Sequence, residues 1–124
     1  MDDTELLARF EAGTLPSFPH EDHVRTVYLL VVRDGAADAL LQVSAGIRAM
    51  AQANGRPGAF HVTRTEAWTR IVAAAAAEPQ DSREFLAEHP ELLRRDLLDD
   101  YYAPGRLTTD EARERFMEPD VPLP

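Results

Sequence analysis

The stretch Phe18-Pro19-His20-Glu21-Asp22-His23-Val24-Arg25-Thr26-Val27-Tyr28-Leu29-Leu30-Val31-Val32-Arg33-Asp34-Gly35 decides the fold. Val24, Val27, Tyr28 and Val31 recur at i, i+3, i+4 and i+7, the spacing of a helix that buries one side. The spacing predicts a helix from Pro19 or His20 to Asp34, with Gly35 as its stop. Glu21 and Asp22 fall in the first turn, where carboxylates suit the helix dipole. His20 precedes Val24 by four residues and His23 precedes Val27 by four, so both imidazoles extend the buried stripe.

The same period continues on both sides. Upstream, Asp2, Asp3 and Thr4 can cap a short helix carrying Leu6, Leu7 and Phe10 and ending near Gly13. Thr14 to Pro19 is a connector held extended by Pro16 and Pro19. Downstream, Ala36, Leu40, Val43, Ile47 and Met50 predict a third helix over roughly Ala36 to Asn54, stopped by Asn54-Gly55. A fourth is expected from about His61 to Ala77, with His61, Thr65, Trp68 and Val72 along one line. Asp81-Ser82-Arg83-Glu84 and Thr108-Thr109-Asp110-Glu111 read as capping boxes, Pro90 as a helical first position, and the second box opens a helix to about Met117. Pro119 to Pro124 reads as an extended tail. With no alternating strand pattern, the expectation is one all-α domain over 1–124. It would be a compact bundle of four main helices with short C-terminal ones and a proline-rich tail.

Composition narrows the chemistry. The 124 residues include no cysteine, which removes disulfides, thiolate catalysis and cysteine zinc sites. All 13 basic residues are arginine, so lysine Schiff-base chemistry, and with it a PLP cofactor, is excluded. Gly55-Arg56-Pro57-Gly58 lacks the pattern of a phosphate loop, so no nucleotide cofactor is expected. The net charge of −9 argues against nucleic acid as a partner. Met1 to Glu5 has no basic start or apolar run, and Val27 to Val32 is far too short to span a bilayer, so a cytoplasmic, membrane-free protein is expected.

Three histidines form the leading candidate site. Short connections make neighbouring helices antiparallel, which would put the starts of the second and fourth helices at one end of the bundle. His20 and His23 would then face His61 across a groove. Three imidazoles with an open position can hold a divalent transition metal; zinc, iron, copper and nickel all suit the set. The same cluster without metal could transfer protons, with Glu21 or Asp22 accepting from the rings. Thr65 and Trp68 on the His61 face, and the hydroxyls of Tyr101 and Tyr102, are candidate binding residues. The plainer readings are core packing for Trp68 and a helix-end anchor for the tyrosines. His89, before Pro90, reads as a helix junction. Leu29 and Val32, on the far side of the second helix, would permit a homodimer.

Two segments carry a resemblance. Phe18-Pro19-His20-Glu21-Asp22-His23-Val24-Arg25 and Gly58-Ala59-Phe60-His61-Val62-Thr63-Arg64-Thr65-Glu66-Ala67-Trp68 are similar to those of a set of small, functionally uncharacterised bacterial proteins. Phe10 to Leu15, Tyr101 to Pro104 and Pro119-Asp120 extend the likeness over most of the chain. The resemblance implies that His20, His23 and His61 belong to the family pattern, and it carries no activity with it. Two functions are therefore expected from different classes. One is a small-metabolite enzyme built on the three histidines, with hydrolysis, isomerisation and oxygenation all compatible. The other is a non-catalytic helical module that binds a small ligand or protein partner, its histidines serving as buried structural groups.

Overall fold

A computed structural model describes residues 1–124. The chain is all helical, with six α-helices and no strand. α1 spans Asp3–Ala12, α2 His20–Asp34, α3 Ala36–Ala53, α4 Val62–Ala75, α5 Ser82–Glu88 and α6 Asp110–Glu114. No helix is long and apolar enough to cross a membrane.

Local chemistry sets the boundaries. Asp2 caps α1 by accepting from the Glu5 N–H at 2.8 Å, and Gly13 closes the helix in the left-handed region. Gly35 alone separates α2 from α3; its φ of +87° is open to glycine and strained for other residues. A one-residue turn folds the two helices back on each other, and α3 and α4 then pack on α2 and on one another. α4 starts and stops later and earlier, respectively, than its apolar line suggests. His61 stands outside as the N-cap, and Ala76 ends the helix short of Ala77. Beyond Pro90 the chain does not hold a full helix. It runs through 3₁₀ turns at Pro90–Leu93, Leu97–Asp100 and Arg106–Thr108, and α6 ends at Glu114 rather than Met117.

The core gathers Val24, Val27, Tyr28 and Leu30 of α2 with Val43, Trp68, Val72 and Phe85. The Tyr28 and Phe85 rings stack at 3.9 Å. Leu29 and Val32, expected on an outer face, are partly buried against this core. The large apolar side chain most open to solvent is Leu41 of α3, at 69 %.

Arg25 sits inside the fold, 1 % exposed. Its guanidinium donates to Ser82 Oγ at 2.7 Å, to the Met1 carbonyl at 2.9 Å and to Asp3 Oδ1 at 3.0 Å. Asp3 also accepts from the Ser82 N–H at 2.8 Å. Burial pushes the Asp3 carboxyl up, but the bonds from Ser82 and Arg25 outweigh it and hold it below its usual range. One buried cation thus ties α1, α2 and the start of α5 together.

Candidate functional site

The structure brings His20 and His23 together at the start of α2, ring centroids 6.3 Å apart. It gives His61 other surroundings. His20 lies edge-on to Trp68 at 4.7 Å, and Trp68 is seven residues beyond His61 on the chain. Further along, Tyr28 of α2 accepts from the Gln80 N–H and donates to the Glu78 carbonyl, just past α4. The contacts advance together, so α2 and α4 run parallel, as expected, but staggered. Seven residues of helix rise about 10 Å, so the ring of α4 that meets His20 is carried that far along the helix from His61. α3 has more residues than α2, and a 3₁₀ turn at Pro57–Ala59 follows it, so the return overruns. No group of three or more His, Cys, Asp or Glu side chains is arranged to hold a metal ion.

Each ring has its own role. His20 Nε2 donates to the Leu92 carbonyl at 2.8 Å, joining α2 to the 3₁₀ turn at Pro90–Leu93. His61 Nδ1 accepts from the Arg64 N–H at 3.0 Å and so caps α4, while its Nε2 donates to the Leu107 carbonyl at 2.7 Å. Both nitrogens are thereby committed, and the ring is fixed as one neutral tautomer. Burial lowers its pKa, and the Leu107 bond only partly offsets this.

His23 is different. The residue keeps a partly exposed edge, yet its Nε2 is sealed from solvent and has no hydrogen-bond partner. Burial, with a smaller push from His20, lowers the ring's pKa to about 4. The neighbouring acids do not serve it. Asp22 pairs with Arg25 at 3.5 Å, and Glu21 is exposed.

Of the other expected binding residues, Thr65, Trp68 and Tyr102 are buried and Tyr101 is half-buried. Thr65 and Trp68 are 5 % exposed, and the Thr65 carbonyl accepts from Thr69. The Tyr102 hydroxyl donates to the Met117 carbonyl at 2.7 Å. Tyr101 offers its main-chain carbonyl to the N–H groups of Asp120 and Val121, and its side chain borders a separate crevice near Leu97 and Pro124. None of the four shares a cleft with His23.

Sequence reasoning missed two anchors. Thr63, fully buried, donates to the Ala112 carbonyl at 2.7 Å and accepts from the Met117 N–H at 3.1 Å, pinning the C-terminal arm to α4. Arg25 is the second, a cation inside an unbroken buried run, Val24 to Tyr28.

The largest cleft also escaped the sequence. It measures about 480 Å³ and lies between the α1–α2 connector and the second half of α3. Leu15, Phe18, Ile47 and Met50 give it an apolar lining, and Asn54 stands at one edge. Phe18 stacks on Phe10 at 5.4 Å and packs on His23 at 5.5 Å. It links the cleft to the one histidine nitrogen that is both sealed from solvent and unpaired. No family model, curated protein or solved structure matches the chain.

Proposed function

We propose that the protein is a non-catalytic helical module that takes the apolar part of a small molecule into the cleft between the α1–α2 connector and α3. The observation that carries this reading is the cleft itself. Its volume of about 480 Å³ falls in the range of about 300–1,000 Å³ that suits small ligands, and such sites are lined mainly by apolar side chains with few polar groups. The histidines support it from the other side. His20 and His61 spend their Nε2 protons on main-chain carbonyls, which is structural work. The three-histidine enzyme would require His61 to release Leu107 and Arg64 together and α4 to slide by about two turns.

The test is a titration of the methyl groups of Leu15, Ile47 and Met50 with methylcyclohexane, followed by NMR. Saturable shifts confined to the cleft are expected. Ala53→Phe, which puts a ring into the same space, should weaken binding at least about tenfold, or about 1.4 kcal/mol, with little change in Tm. Shifts spread evenly over the surface, or a variant that binds as well as the parent, would sink the reading.

A further inference from the structure

We infer that the cleft's ligand is a neutral alcohol, its apolar body lying against Leu15, Ile47 and Met50 and its hydroxyl bonded to His23 Nε2 and Thr26 Oγ1, with Phe18 as the gate between the two halves. This rests on the reading of the cleft given above and adds the polar end of the ligand.

Almost all buried polar atoms in folded proteins are paired. Two side-chain atoms here are sealed from solvent and unpaired, His23 Nε2 and Thr26 Oγ1. They are not scattered. Three residues apart on α2, they share a face with Cβ atoms about 5–6 Å apart. An unsatisfied buried polar atom is destabilising, so one small polar group bonded to both would stabilise the fold.

Phe18 connects that polar pair to the cleft, since it packs on His23 and also lines the apolar space. Leu15, Pro16, Ser17 and Phe18 make no main-chain hydrogen bond. The connector is held by side-chain packing alone, so Phe18 can swing without breaking a hydrogen-bonded turn.

The chemistry of the pair selects a hydroxyl. Neutral imidazole presents either an N–H or a lone pair at Nε2, and the threonine hydroxyl both donates and accepts. A ligand hydroxyl also does both, so it matches either tautomer. A carboxylate or ammonium group would lose its hydration beside a ring that burial keeps neutral.

Cyclohexanol and methylcyclohexane, equal in heavy atoms, separate this inference from the reading beneath it. Both should shift the Leu15, Ile47 and Met50 methyl resonances. Only cyclohexanol should move the ¹⁵N resonance of His23 Nε2, and it should bind about tenfold tighter, the equivalent of about one well-made hydrogen bond. Thr26→Val, nearly isosteric, and His23→Leu should each bring cyclohexanol's affinity down to that of methylcyclohexane for the same variant. If both probes bind equally and the Nε2 resonance stays still, the hydroxyl site is refuted and the apolar cleft stands. If neither gives a saturable shift at the cleft methyls, both ideas fall.

Discussion

Protonation of His23 would place a charge where burial admits none. Its pKa in the folded chain is lowered from 6.5 to about 4, so the unfolded chain binds a proton first as pH falls. The stabilising contribution is whole above pH 6.5 and is lost progressively down to about 4, up to about 3 kcal/mol. The ring faces His20 on its own helix and the uncharged Phe18 from the connector. Urea midpoints at pH 7 and 4.5 should therefore differ clearly in the parent and much less in His23→Leu. His61, lowered in the same sense, adds to the remaining slope. An undiminished slope in the variant would assign the effect elsewhere. For His61 the expected role is mechanical. His61→Ala removes a helix cap, about 1 kcal/mol, and the Leu107 bond, about 1 kcal/mol more. A stability loss of about 2 kcal/mol is expected, with methyl resonances in the cleft unmoved.

Between elements, α1 comes close to α3 where Phe10 meets Gly46. Gly46 lies midway along α3, and a Cβ there would sit far inside contact distance of Phe10 Cζ. In an isolated helix Gly→Ala gains about 1 kcal/mol. Here it must push Phe10 away, and overpacking of that kind costs about 1–3 kcal/mol. Gly46→Ala should therefore lower the denaturation midpoint, and the double variant with Phe10→Leu should recover part of the loss. Additive effects would mean that the two residues do not touch. Because Phe10 stacks on Phe18, the single variant should also disturb the connector and weaken binding of methylcyclohexane.

Across the whole molecule, Arg25 is the common tie. Arg25→Met leaves the Asp3 carboxylate without its cation, and breaking a buried pair in this way costs about 3 kcal/mol. The loss should appear in urea unfolding at pH 7. The part that comes from Asp3 is present above its ordinary pKa of 3.8 and disappears as pH falls below it, so parent and variant should converge in acid. The helices of the first 75 residues were legible because periodic apolar spacing and local stops such as Gly13 and Gly35 act through neighbouring residues. The stagger of α2 on α4 was not. It depends on how far the chain runs from Ala53 to Val62, and a few residues there displaced His61 by two turns. Past Pro90 the leucines kept a helical rhythm, yet the His20 bond to the Leu92 carbonyl and the Tyr101 bonds to Asp120 and Val121 drew the main chain into 3₁₀ turns and a packed tail. The unpaired His23 nitrogen was hidden for a related reason. Its stripe position told that it is buried, while the lack of a partner is a property of every element around it.

The connector from Leu15 to Phe18 joins α1 to the rest of the chain without contributing any main-chain hydrogen bond of its own. What keeps α1 seated is non-covalent: Asp3 on Arg25, and Phe10 against Gly46. A backbone cut by a protease at Ser17 should therefore leave a nicked pair that stays associated, and α1 synthesised as a separate peptide should re-anneal with a chain begun at Phe18.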